Sequence, residues 1–442
     1  MSLLTTFMGQ ARAVLGALCI GLLMSCGGTT TPVAGGVGSG GTGSGTVSGF
    51  GSVIVDGNRY DDSDASVLKL MLDGTEASAS VLLGQHVVVQ FDADSKAQSI
   101  HIRPQLVGVV TRLVDPIQGR AEVNGQPVRV LSEDDTTPLG KATWLNGYDS
   151  RDALQPGDEV EVHGFWYTNA QGQTELAATR LDKLNVNATA SGLLVNGLVS
   201  QMICTPASAA SRSSDCLLQL NASTIPGSGL WVQTSDSRCL QGVAAGDAVT
   251  VTLSRDALST LAFHAATPVQ PLTAPTCQRT SLRASDVPNG VLKISGLPTQ
   301  FDGTAKTVRI NGTEVSLSSV DPAQVQAIAQ TTYLSMDVQI SDAQLTPSSV
   351  RLRNTQMQSS DSTGLVTSVS GNLYSIPDWS AQTVTFILRG VRIQAAASVV
   401  AASDCSRYPS GNALWISVQG SISTPGPAIT ASAIRCVSAA SP

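Results

Sequence analysis

Charge is scarce in this 442-residue chain, with only 13% of residues being Asp, Glu, Lys or Arg. The 26 basic residues against 33 acidic ones form no run that would neutralise successive phosphates, which argues against nucleic acid as a partner. Aromatic residues make up 4% and histidine occurs four times, a thin supply for acid and base chemistry. No G-x-S-x-G elbow, H-E-x-x-H, P-loop or paired H-x-H is present, so no catalytic residue, metal ligand or cofactor is assigned. What is abundant is glycine, 41 residues alongside 20 prolines, which argues against a helical bundle. The 42% apolar content still suffices for several cores.

The amino terminus carries the most specific pattern. Arg12 precedes the apolar stretch 13–24 (AVLGALCIGLLM), which has the length of a secretory h-region and is too short to span a bilayer. Leu23, Met24, Ser25 and Cys26 follow, with Gly27 and Gly28 behind them, and this resembles the lipobox of bacterial lipoproteins. The resemblance implies cleavage after residue 25, acylation of Cys26 and, from Gly27 rather than aspartate, an outer-membrane location. Residues 26–45 are nearly all Gly, Ser and Thr and read as a flexible tether. Gly36, Gly38 and Gly41 satisfy G-x-G-x-x-G, but no strand precedes them, so a dinucleotide site is not expected.

Beyond the tether the sequence repeats. An alternating strand, an Asn-Gly or Asp-Gly pair and a second alternating strand form a hairpin signature. It occurs around Asp56-Gly57, Asn124-Gly125 and Asn311-Gly312, with weaker copies at Asn221-Ala222 and Arg389-Gly390. A glycine-opened strand precedes each, at Gly49, Gly108, Gly197, Gly290 and Gly364; further strands follow at 85–91, 158–162, 247–253, 333–340 and 414–418, each with a closing strand behind. Three strands, an optional helical turn and two more strands is the order of an OB-type barrel. The expectation is an all-β tandem array of about five small OB-like antiparallel units, at 46–104, 105–185, 190–280, 288–356 and 360–438. A sandwich is the alternative, and each unit is expected to close its own sheet.

The run Thr46-Val47-Ser48-Gly49-Phe50-Gly51-Ser52-Val53-Ile54-Val55-Asp56-Gly57-Asn58-Arg59-Tyr60 behind a Gly-rich leader is similar to the start of bacterial lipoproteins built from tandem copies of domain of unknown function 5666. The resemblance implies an exported β-barrel array and supplies no catalytic residue.

Of eight cysteines, Cys19 leaves with the signal segment and Cys26 takes lipid, so six remain. An even count fits an oxidising compartment. The four in the third unit allow three connectivities, but the repeat places Cys239 with Cys405 before the fourth strand and Cys277 with Cys436 at or beyond the fifth. That pairs Cys239 with Cys277 and Cys405 with Cys436, and leaves Cys204 for Cys216.

The histidines, His86, His101, His163 and His264, are dispersed over strands and loops. Asp61, Asp62, Asp64 and Asp73 imitate a calcium loop, but Val67 stands where glycine is needed, so a solvated turn is expected. One patch is singled out. Along 160–167, alternation points Val160, Val162 and Trp166 inward and leaves His163, Phe165 and Tyr167 on the outer face, a candidate ligand surface. The alternatives are a bulge at Gly164 or packing of these rings against a neighbouring unit. The functional expectation is a non-enzymatic, membrane-anchored binding or structural scaffold whose partner is an envelope protein or glycan; the alternative is an envelope enzyme with its site between units.

Overall fold

The computed structural model describes residues 40–438 except 51, 132–142, 149, 170, 206–214, 223–228, 237–238, 240–241, 256–270, 288–289, 330–332, 354–366, 374–376, 389–390, 408–413 and 424–427. The expected signal segment, the expected lipid attachment at Cys26, the expected tether up to residue 39, His264, the expected strand opening at 364–366 and the expected turn at 389–390 lie outside the described residues. Among the described residues strands dominate, and the α-helices, Pro322–Ala329 and Ala397–Ala401, are short. The described strands form mixed sheets of ten, twelve and five members and an antiparallel sheet of three.

Local sequence accounts for many of these strands. Asp215–Leu220 and Thr383–Leu388 bury every second residue, as period-two alternation with one covered face requires. Gly41–Gly49 and Glu159–Thr168 differ in being buried along nearly their whole length, because neighbouring parts of the chain cover both of their faces.

Strand pairing in the second segment follows a circuit. Leu106–Asp115 pairs antiparallel with Arg120–Val123, which pairs with Gln126–Val130; that strand runs parallel to Thr174–Lys183, which pairs with Glu159–Thr168, which returns to Leu106–Asp115. The third segment pairs in the same order through Leu193–Thr205, Asp215–Leu220, Leu230–Thr234, the broken strand Leu272–Thr273 and Thr276–Arg279, and Ala248–Leu253. In the first segment a parallel bridge between Asp61 and Lys96 takes the place of the parallel pair.

The segments are also joined to one another, which differs from the expectation that each closes its sheet alone. Gly41–Gly49 runs parallel to Val291–Gly296, and Leu194 and Val195 pair with Val107 and Leu106. One buried cluster takes Val160 and Trp166 from the second segment together with Val249 and Cys277 from the third. Another joins Val87 and Ile100 of the first to Ile416 and Ile429 of the fifth.

The end of the expected tether is corrected by the same strand. Residues 41–45 are not a leash; all five pair with His86–Phe91, and 42–44 pair on the other side with Val291–Gly296. Composition misleads here because the site demands the absence of side chains. A Cβ on Gly43 would sit 2.4 Å from Tyr60 Oη, and one on Gly45 would sit 2.1 Å from Asp56 Oδ2.

The hairpin turns do more than reverse the chain. Asp56, Asn124, Asn221 and Asn311 all take φ between 47° and 53°, the left-handed region that Asn and Asp tolerate. Three of them also reach back to their segment's first strand: Asp56 Oδ2 accepts from Thr46 N–H at 2.8 Å, Asn124 Oδ1 from Val109 N–H at 3.0 Å and Asn221 Oδ1 from Leu198 N–H at 2.8 Å. In each case the residue before the donor is glycine, Gly45, Gly108 or Gly197, over which the carboxamide or carboxylate lies.

Three disulfides close the structure, Cys204–Cys216, Cys239–Cys277 and Cys405–Cys436, the pairs that follow from aligning the third and fifth segments. Cys204 and Cys216 face each other in antiparallel register, and the other two pairs have Cα separations of 5.3 and 5.0 Å. Peptide mapping of the unreduced protein should therefore recover these three crosslinked pairs. A Cys204–Cys239 crosslink would overturn the alignment.

Candidate functional site

Glu159–Thr168 is the strand on which the expected ligand surface lies. Val160, Val162 and Trp166 do share one buried cluster, and Phe165 belongs to another. The expected exposure is corrected: His163 and Phe165 are both 0% exposed, and Tyr167 is half-buried. The irregularity lies on the partner strand, since His163 faces Arg180 and Gly164 faces Ala178, leaving Thr179 between them. Alternation along 160–167 is thus intact. What covers the outer face is the rest of the chain, as Phe165 meets Tyr333 and His86 edge-on at centroid distances of 5.5 and 5.6 Å. Tyr167 donates to Glu175. This face is an internal junction, not a ligand platform.

A buried polar lock surrounds His163. His86 N–H donates to His163 Nδ1 at 3.3 Å, which places the ring proton on Nε2, facing Glu161 Oε1 at 3.0 Å. Lys69 Nζ meets the other Glu161 oxygen at 2.5 Å. Burial pushes the Glu161 carboxyl up, but His163 and the Lys69 ammonium outweigh it and hold it at about 2. Alongside, Arg180 pairs with Asp182 through Nε at 2.7 Å and donates from Nη1 to Leu83 O at 3.0 Å, while Thr179 Oγ1 donates to Gly84 O at 2.6 Å. Each of these contacts ties the first segment to the second or holds a group that does.

Glu161, His163 and Asp182 present ligand atoms within 4.8 Å of one another, a spacing that suits a metal ion. Their lone pairs are already committed: both His163 nitrogens are engaged, and Lys69 and Arg180 supply the positive charge. The group fits a structural ion-pair network better than a metal centre.

The remaining expected features fall at turns. Asp61 Oδ1 accepts from Ser63 N–H at 3.0 Å and Asp73 Oδ1 from Thr75 N–H at 2.9 Å, while Ser66–Leu70 is a paired strand. His101 lies 3.0 Å from Glu76.

A cleft of about 300 Å³ opens where parts of the first four segments meet. Its walls come from Ser44, the strand His86–Phe91, His101 to Gln105, Asn196, residues 278–282 and the turn at Asn311. Arg103 Nη1 is 2.7 Å from Glu76 and Arg279 Nη1 is 2.8 Å from Asp286, so its cations are paired. His86 is neutral there, held down to about 3 by burial first and then by His163 and Arg103. A nitrogen of that basicity abstracts no proton near neutral pH. The signal for this site, polar residues at alternate strand positions, is the one any solvated sheet face carries. No family model, no curated protein and no solved structure matches the chain.

Proposed function

We propose that the protein is an exported, lipid-anchored envelope protein that acts as a non-enzymatic binding or structural scaffold, with five small OB-like units serving as its rigid body. The observation that carries this reading is the pairing of all six cysteines downstream of Cys26, which suits an oxidising compartment. The order of strand pairing in the first three segments supports the OB-like units. Strands shared between segments and the buried lock around His163 support a body whose parts do not move independently.

The anchor is assigned to Cys26 and the location to the outer membrane, from Leu23-Met24-Ser25-Cys26 followed by Gly27. Among the described residues no helix is long and apolar enough to cross a membrane. The partner is an envelope protein or a glycan rather than nucleic acid, given the lack of any basic run. A hydrolase with its site between segments is the second reading, favoured by two histidines in the cleft; the low basicity of His86 weighs against it.

Replacing Cys26 by Ala should leave export intact and release the protein from the membrane fraction. An exported Cys26→Ala protein that stayed membrane-bound would refute the lipid anchor.

A further inference from the structure

The two arginines that line the cleft are paired on one side only. Arg103 meets Glu76 through Nη1 at 2.7 Å, and Arg279 Nη1 serves both Asp286 Oδ2 at 2.8 Å and Ser281 O at 2.7 Å. Among the described residues Nε and Nη2 of both arginines make no hydrogen bond, and they are not sealed from solvent, in side chains 20% and 19% exposed. The neighbouring carboxylates are in the reverse condition. Glu76 lies against both Arg103 and His101, and Asp286 Oδ2 accepts from Arg283 N–H at 2.9 Å besides meeting Arg279. The cleft therefore has cationic donors to spare, while its acidic acceptors are in use. Strand register assembles one wall: Val88 and Gln90 face His101 and Ser99, and Arg103 follows on the same face, its N–H bonded to His86 O at 3.0 Å. Asn196 ties that wall to the other, donating from its N–H to Gln105 O at 2.7 Å and from Nδ2 to Thr280 Oγ1, beside Arg279, at 2.8 Å.

We infer that this cleft binds an acidic sugar of monosaccharide size, its carboxylate or phosphate held by the free guanidinium edges of Arg103 and Arg279. The inference deepens the binding-scaffold reading and rests on it. Nε and Nη2 form the side of a guanidinium that matches two oxygens of a carboxylate or phosphate. Burial lowers the Arg103 guanidinium below its ordinary value and Glu76 restores only part of the difference, so a second anion at that side chain is stabilising. The rest of the wall suits a hydroxylated ring. Gln278 makes no side-chain hydrogen bond among the described residues and offers a donor and an acceptor, while Gln90 accepts from Thr42 at 3.1 Å through Oε1 and keeps Nε2 as a donor. Val88 and Leu282, both half-buried, add apolar wall against which the C–H face of a sugar can rest. A cationic sugar gains little, because Glu76 and Asp286 already have their partners.

Saturation-transfer NMR and calorimetry on the full exported chain test the site, with glucuronate and glucose 6-phosphate as probes and glucose, glucosamine, acetate and inorganic phosphate as controls. Glucuronate or glucose 6-phosphate should bind at millimolar concentration, and glucose and glucosamine should not. Arg103→Lys and Arg279→Lys each keep a charge beside Glu76 or Asp286 and remove the Nε–Nη2 edge; each should weaken binding about tenfold without lowering the melting temperature. The comparison among probes needs only the parent protein, so it decides the matter even where a variant does not fold. The site is refuted if neither acidic sugar saturates, if glucose binds as tightly as they do, or if both variants bind as the parent does. Acetate or inorganic phosphate binding as tightly as the sugar that carries the same group would also overturn it, assigning the cleft to any such anion, an acidic protein side chain included. Absence of all binding leaves the lipid anchor standing, because fractionation of the Cys26→Ala protein tests that separately.

Discussion

Gly108→Ala should destabilise the protein by about 3 kcal/mol, although it adds a single methyl group. The new Cβ would lie 1.9 Å from Asn124 Oδ1 and 2.3 Å from its Nδ2, so the carboxamide has to leave. It then loses both of its bonds, the one accepted from Val109 N–H and the one donated from Nδ2 to Val107 O at 3.0 Å. Three strands meet there, because Leu106–Asp115 also pairs with Glu159–Thr168 and with Leu193–Thr205. A local control is available at Gly157, where a Cβ meets nothing within 4 Å and only the φ of 93° opposes a side chain. Gly157→Ala should therefore cost nearer 1–2 kcal/mol, an order-of-magnitude figure for a left-handed residue. Urea unfolding of both variants checks the ranking. Adding Asn124→Gly to Gly108→Ala should make the pair less destabilising than the sum of the two, since the clash needs both partners. Equal costs at Gly108 and Gly157 would show that the carboxamide clamp contributes nothing.

The hairpins were legible because the Asn-Gly and Asp-Gly pairs carry their own physical requirement: two successive residues at positive φ, met at Asp56-Gly57, Asn124-Gly125 and Asn311-Gly312. The disulfides were legible through register, since equivalent cysteines in two segments restrict one another. The strand order of the second and third segments was legible too, but the joins between segments were not, because sheet pairing between Gly41–Gly49 and Val291–Gly296 links residues about 250 positions apart and leaves no local trace. The same strand shows how composition fails. Gly, Ser and Thr are what a linker contains, and also what a strand contains when neighbours approach within van der Waals distance on both sides.

A second repeat runs through the first three segments. Val81, Leu154 and Val243 are each buried and each followed three residues later by a glycine at positive φ, Gly84, Gly157 or Gly246. That glycine's N–H donates to Val47, Val110 or Val199 of the first strand, and the next residue, Gln85, Asp158 or Asp247, turns back to cap the same loop. The pattern of an apolar residue, two variable ones, glycine and Gln or Asp is visible in the three segments once its role is known. The candidate site was the least legible element. Alternation placed His163, Phe165 and Tyr167 on the correct face of their strand, yet period-two patterning says which residues share a face and not what lies against it. Lys69, Arg180 and Asp182, which complete the buried lock, carry nothing in the sequence that separates them from solvated charges.

Acid should weaken the fold earlier than its carboxylates alone would, and His86 is the group responsible. Its ordinary value of 6.5 is lowered to about 3 by burial, then by His163 and Arg103, so the unfolded chain takes up a proton that the folded one refuses. A depressed folded pKa contributes stability that is complete above the unfolded value and is lost as pH falls towards the folded one; here the window runs from about 6.5 down to about 3. Within it the loss approaches about 1.4 kcal/mol per pH unit for this one group. Glu161 has the same sign in a lower window, from its ordinary 4.5 down to about 2. The two are separable between pH 6 and 4.5, where the Glu161 contribution is still nearly complete. Unfolding free energies of the disulfide-intact protein measured across that interval should fall steeply, and His86→Gln should flatten the fall by about 1.4 kcal/mol per unit. Parallel profiles for parent and variant would mean that His86 binds its proton in the folded state, and with it that the cleft admits a charge.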